Sequence, residues 1–148
     1  MSNLHNQLIG FKVYDAQRSL SRSLEIALEP YGITPGQFNL LSQLERAGQL
    51  SQKALAELTR KEQATITRYL DVLERKNLIS RVKDKNDRRA HVVSTTDDAR
   101  ILLETVTPVA IDAANHLIEN IEQHDIDTFL TVLATLKDNA DRFSNGER

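Results

Sequence analysis

The sequence contains no cysteine, which excludes disulfides, thiolate metal sites and thiol redox chemistry. No apolar run approaches the roughly 20 residues that cross a bilayer. The opening segment, MSNLHNQLIGFKVYDAQRSL, has no basic start, apolar block or small-residue cleavage site, so no signal peptide is expected and a cytoplasmic location is. Prolines number three and glycines five in 148 residues, leaving few breaks in long stretches of helical periodicity. Catalytic signatures are missing as well: no nucleophile–base pairing, phosphate loop or set of converging carboxylates, so no enzyme activity and no cofactor are expected.

Apolar residues make up 40% of the chain and charged residues 27%, enough to build a core in one compact domain with an appended helical element. The net charge of −2 hides an uneven distribution. The first fifty residues balance at zero. Between Ser51 and Thr96 eleven basic residues face six acidic ones, a net of +5, and from Asp97 onward the net is −7. A basic middle between neutral and acidic flanks is the pattern of a localised anion-binding surface.

Apolar spacing predicts a helix from Leu4 to Leu28 through Leu8, Phe11, Leu20 and Leu24, ended by Pro30-Tyr31-Gly32. Thr34-Pro35-Gly36-Gln37 reads as a capping box with proline at the first helical position. The helix that follows carries Phe38, Leu41 and Leu44 on one face and stops at Gly48. Ser51 is the expected N-cap of a short helix bearing Ala54, Leu55 and Leu58. A turn around Thr59-Arg60-Lys61 leads to a second helix over about 62–76. Its stripe is Ile66, Leu70 and Leu73, with Ala64, Arg68, Asp71 and Arg75 opposite and Thr67 to one side. Asn77 suits a left-handed position after the helix.

Leu78–Lys83 and His91–Thr95, short and rich in β-branched residues, predict a hairpin around a basic loop. Thr96-Asp97-Asp98 starts another helix, through Leu102, Val106, Val109, Ala113 and Leu117. A break is expected at His124-Asp125, then a last helix carrying Ile126, Phe129, Leu130, Leu133 and Leu136. The fold class is mainly α with a small β-hairpin wing. The expected domains are an N-terminal dimerisation helix over 1–33, a winged helix-turn-helix lobe over 34–96, and C-terminal dimerisation helices over 97–148, for the reasons that follow.

A short helix, a turn, a second helix and a basic hairpin outline a module that reads double-stranded DNA. Gln63, Ala64, Thr67 and Arg68 at the start of the second helix are placed to reach base edges. Gln suits adenine, Arg suits guanine, and Ala or a Thr methyl can meet the thymine methyl. Ser51 and Thr65 are candidates for phosphate contact, and Arg75 and Lys76 meet phosphate or solvent. The loop Lys83–Arg89 holds four cations in seven residues, Lys83, Lys85, Arg88 and Arg89. Arginine there can reach a narrow minor groove. His116, Glu119 and His124 sketch a metal set without a convincing third ligand, so no metal is expected.

The runs Ala64-Thr65-Ile66-Thr67-Arg68, Leu73-Glu74-Arg75-Lys76-Asn77-Leu78-Ile79, Arg81 and Asp87-Arg88-Arg89 together resemble the signature of the MarR family. Gly32-Ile33-Thr34-Pro35-Gly36-Gln37-Phe38 is similar to the family's L-T-x-x-Q-F start of its second helix. The resemblance implies a homodimer with intertwined N- and C-terminal helices and two winged lobes on a palindromic operator. It implies that Asp87 fixes the wing while Arg89 or Arg88 enters the minor groove. It further implies a repressor relieved by a small aromatic acid or phenolic effector, with Tyr14, Arg18, Phe38 and His116 as candidate pocket residues. Asn77 and Ala99 stand where the family usually has glycine, Thr95 where leucine is usual, and Lys61 where an apolar residue is usual. Without cysteine, the thiol-switched peroxide-sensing branch is excluded. The rival expectation is a helical dimeric protein-interaction adaptor with a vestigial winged lobe.

Overall fold

The computed structural model describes residues 8–146; Leu4, the expected start of the first helix, lies outside them. The element order is α1 (Ile9–Leu28), a 3-10 turn (Glu29–Tyr31), α2 (Pro35–Ala47), β1 (Gln49–Ser51), α3 (Gln52–Thr59), α4 (Gln63–Arg75), β2 (Ile79–Lys83), β3 (His91–Thr95), α5 (Asp97–Leu117) and α6 (Gln123–Ser144). The chain divides into two compact units, residues 1–113 and 114–148.

Local chemistry sets the helix boundaries of the first unit. Gly32, at φ +68, turns the chain out of the 3-10 turn. Thr34 Oγ1 then accepts from the Gln37 backbone N–H at 3.2 Å while Gln37 Oε1 accepts from the Thr34 N–H at 3.2 Å. This reciprocal capping box satisfies two of the orphan donors at the start of α2 and draws Gln37 into the buried set. Ser51 Oγ caps α3 by accepting from Ala54 N–H at 3.0 Å. Both helices of the helix-turn-helix end in the same way. After α3, Arg60 is left-handed (φ 52), and the Lys61 N–H bonds back to the Ala56 carbonyl. After α4, Asn77 is left-handed (φ 58), and Leu78 N–H reaches Leu73 O at 2.9 Å. Neither position holds glycine, and the backbone takes the glycine-favoured conformation all the same.

The core gathers Leu28 from α1, Leu40, Leu41 and Leu44 from α2, Leu55 from α3, the whole predicted stripe Ile66, Leu70 and Leu73 from α4, and Val93 from β3. Two details differ from the sequence reading. In α2 the buried set is Gln37, Leu40, Leu41 and Leu44, while Phe38 packs half-buried at its edge. In α3 the stripe runs through Leu55 and Ala56, and Leu58 is left exposed. Thr59 closes that face instead, its hydroxyl donating to the Leu55 carbonyl at 2.7 Å.

The sheet contains one strand more than the predicted hairpin. Its order is β1-β3-β2, with both neighbours antiparallel to β3. Leu50 and Arg81 pair with Val93 from either side. Thr95, where the resemblance led to an expectation of leucine, is buried, and its hydroxyl donates to the Glu45 carboxylate of α2. Arg100 also donates to Glu45, at 3.2 Å, tying the start of α5 to α2. The expected start of α5 is present, with Thr96 Oγ1 accepting from Ala99 N–H at 3.2 Å.

In the second unit the break falls at 118–122, ahead of the predicted His124-Asp125, because Asn120 takes a left-handed conformation (φ 62) and Glu122 is the N-cap of α6. Its helix leaves Phe129, Leu130, Val132 and Phe143 exposed. No helix among the described residues is long and apolar enough to cross a membrane.

Candidate nucleic-acid interface

Burying Ile66, Leu70 and Leu73 fixes which side of α4 faces outward. Gln63, Ala64, Arg68, Asp71 and Arg75 are exposed, and Thr65 and Thr67 are half-buried. Arg68 Nη2 donates to Thr65 Oγ1 at 3.3 Å, so the guanidinium is held along its own helix. Gln52, a residue the sequence reading passed over, donates from Nε2 to Thr67 Oγ1 at 2.7 Å, and Thr67 in turn donates to the Gln63 carbonyl at 2.9 Å. A glutamine at the head of a short helix carries no sequence signal of such a contact, since its partner lies across the turn.

The basic middle of the chain resolves into cations committed inside the fold and cations left outward. Arg81 of β2 is committed. Its side chain is only 18% exposed, and it donates to Asp71 Oδ1 at 2.6 Å and to Glu74 Oε1 and Oε2 at 3.0 and 3.1 Å. These bonds hold the Glu74 carboxyl below its usual value of 4.5, chiefly through the hydrogen bond from Arg81. The same bond raises Arg81 above the ordinary arginine value. Lys76, read as meeting phosphate or solvent, is exposed and also donates to the Gly32 carbonyl. Lys61 lies 5.8 Å from the centre of the Tyr69 ring.

The wing keeps its charge outward. Asp84 Oδ1 accepts from Asn86 N–H at 2.8 Å, and Asp87 Oδ1 accepts from Arg89 N–H at 3.0 Å. Each aspartate closes a turn on its own backbone. Lys85, Arg88 and Arg89 are exposed, and none pairs with a carboxylate among the described residues. The Asp87–Arg89 pair is therefore joined through the Arg89 backbone, leaving the guanidinium uncommitted.

Of the four candidate pocket residues, Arg18 alone lines an open cleft of about 1180 Å³ in the first unit. Its walls come from α1 (Asp15, Arg18, Arg22, Glu25), the capping box and α4 (Arg68, Tyr69, Val72). Tyr14 lines a separate apolar hollow with Leu8, Gly10 and Phe11. Phe38 packs on the core, and His116 belongs to the second unit, 3.8 Å from Glu119. Gly36 sits at the cleft floor where a Cβ would come within 2.9 Å of the Tyr69 hydroxyl. Among the described residues no group of three or more His, Asp or Glu is placed to hold a metal ion.

A three-helix lobe with a tight turn between α3 and α4, an outward α4 and a basic two-strand loop is a winged helix-turn-helix. The family model described as "MarR family" matches residues 33–91. The multiple antibiotic resistance protein MarR of Salmonella typhimurium is 31% identical over 105 residues, 70% of this chain and 73% of that protein. The HTH-type transcriptional repressor MdtR of Bacillus subtilis is 36% identical over 80 residues, 54% of this chain, and the match spans about half (52%) of that repressor. A crystal structure of a mutant MarR from E. coli complexed with operator DNA superposes with a TM-score of 0.83 at 25% identity, covering 91% of this chain and 99% of that one. The chain belongs to the MarR family of transcriptional regulators.

Proposed function

We propose that the protein is a cytoplasmic, sequence-specific repressor that binds a palindromic double-stranded DNA operator as a homodimer and releases it on binding a small aromatic acid. The observation that carries the reading is the sorting of cations. Arg81 is committed within the fold, while Lys85, Arg88 and Arg89 of the wing pair with no carboxylate among the described residues. They accompany a recognition helix that exposes Gln63, Ala64 and Arg68, with half-buried Thr67 beside them. In this reading Arg68 reads a base edge, Thr65 anchors it, Ser51 and Arg75 meet phosphates, and Arg89 with Arg88 enters the minor groove. The names of MdtR, a repressor, and of the operator-bound E. coli structure point the same way.

Dimerisation is supported by what the terminal helices leave uncovered. In α1, Phe11 is 69% and Tyr14 62% exposed, and in α6 Phe143 is 71% exposed. Apolar faces of that kind call for a partner surface, here a second copy joined through segments 1–33 and 97–148. The cleft supports the effector class: Arg18 and Arg68 offer cations for a carboxylate, and the Tyr69 ring, Pro35 and Val72 an apolar wall.

The test is selection of bound duplexes from a random library, with the winners titrated across salt. The expected result is a pseudo-palindrome of about 16–20 base pairs, with half-site centres about 34 Å apart, and affinity falling steeply with salt. Failure of a folded dimer to enrich any duplex overturns the reading.

A further inference from the structure

Thr67 stands one turn into α4, on the stretch proposed to meet base edges, yet its hydroxyl is already engaged twice. Its proton goes to the Gln63 carbonyl at 2.9 Å, and one of its lone pairs receives Gln52 Nε2 at 2.7 Å. A hydroxyl has a single proton and two lone pairs, so Thr67 has no donor left for a base acceptor. What it retains for DNA is chiefly its methyl group. Gln52 enforces this from outside the recognition helix: by donating to Oγ1 it requires the hydroxyl proton to point elsewhere, and the Gln63 carbonyl is the acceptor within reach. A threonine without that second partner is free to change rotamer and offer its hydroxyl to any base. The contact also joins the two helices of the helix-turn-helix across the turn at Arg60, through side chains that are half-buried on both sides.

We propose that Gln52 and Thr67 form a thymine-reading unit, in which the Thr67 methyl contacts the 5-methyl of one thymine per half-site and Gln52 is the positioning residue that keeps the hydroxyl turned inward. This rests on the DNA-binding reading above. Thymine and uracil differ only by that methyl, so the unit discriminates between them, and no other group on a base edge reports it so directly. Ala64, three residues earlier and exposed, is the competing methyl donor, and the test must separate the two.

The experiment takes the duplex selected by the wild-type protein and replaces its thymines by deoxyuridine, one symmetric pair of positions at a time. Affinities are measured for the wild type, Thr67→Val, Thr67→Ser, Gln52→Met and the Gln52→Met/Thr67→Val double variant. At one thymine the wild type loses about fourfold per half-site, the worth of one buried methyl. Thr67→Val, which keeps the methyl, retains that loss, and Thr67→Ser abolishes it. Gln52→Met keeps the length of the side chain without its donor. It lowers the thymine preference in the wild-type background and leaves it unchanged in the Thr67→Val background, at the same melting temperature. The proposal is overturned if no position shows a penalty that Thr67→Ser removes; a penalty that persists in Thr67→Ser points to Ala64 instead. It is overturned equally if Thr67→Val loses discrimination as Thr67→Ser does, or if Gln52→Met changes only stability. A wild-type protein that selects no duplex defeats the DNA-binding reading itself, an outcome distinct from a selected operator that binds equally well with uracil.

Discussion

Arg81 Nη2 lies 2.6 Å from Asp71 Oδ1, a contact between the first wing strand and the outer face of the recognition helix. Asp71 would otherwise set a bare negative charge on the surface proposed to approach phosphates. Arg81 cancels it and holds Glu74 at the same time.

Arg81→Met therefore has two expected effects. The melting temperature falls by a few degrees, as expected for a largely covered guanidinium with two carboxylate partners. DNA affinity falls on every sequence, because Asp71 and Glu74 are left uncompensated. Restoring affinity with Asp71→Asn in the Arg81→Met background, without restoring the melting temperature, separates charge from packing. No restoration contradicts the electrostatic account.

The pH dependence follows from Glu74. Its carboxyl is held below the usual 4.5 in the folded protein, so it binds its proton more readily when unfolded. Its contribution to stability is complete above about pH 4.5 and is lost as pH falls below that through the folded value. Melting followed from pH 6 downward is expected to show a steeper loss for the wild type than for Glu74→Gln across that range. Identical acid profiles contradict the assignment.

Gly36 is required by the ring above it. A methyl group there meets the Tyr69 hydroxyl at 2.9 Å and ring carbons at 3.1 and 3.2 Å. Gly36→Ala is expected to cost about 1–3 kcal/mol through overpacking, with partial recovery in Gly36→Ala/Tyr69→Phe because only the shortest contact is removed. Denaturant melts of the two variants decide it. Thr34→Ala, which opens the adjoining capping box, is expected to cost about 1 kcal/mol.

Arg68→Ala is expected to weaken specific binding more than non-specific binding, whereas Arg89→Ala mainly weakens the flanking, A·T-dependent part of the site. Titrations on the selected operator, on a scrambled duplex and on operators with G·C flanks test this. Equal losses on all three for both variants contradict the division of roles.

Much of this architecture was legible because local rules and the fold agree. The Thr34–Gln37 box, the Ser51 cap, the left-handed Asn77 and the Ile66-Leu70-Leu73 stripe are each written within a few residues of where they act. Strand β1 was not legible: Gln49-Leu50-Ser51 has one apolar residue, and its partner Val93 lies beyond two helices, on the second strand of the hairpin. The exposure of Leu58 was missed for a related reason, since an eight-residue helix is too short for spacing alone to choose between neighbouring stripes. At the interface, residue types pointed to the recognition helix and wing, but the inward commitment of Arg81, the Lys76–Gly32 bond and the Gln52–Thr67 bond depend on tertiary neighbours.

Ser51 belongs to two elements at once. It is the last residue of β1, paired with Val92, and the cap of α3. The register of the sheet is therefore also the starting point of the helix-turn-helix, and the two cannot be adjusted separately. Along this stretch the chain has no slack: a single inserted residue between Gly48 and Ser51 must either slip the strand or uncap the helix, and each alternative swings α3 by part of a turn. The loop from Asp84 to Ala90, whose ends meet through the Asp84 N–H to Ala90 carbonyl bond, is under no such constraint. The fold accommodates changes of length most readily at the tip of the wing, and an insertion scan for stability would trace the gearing as an intolerant stretch from Gly48 to Ser51.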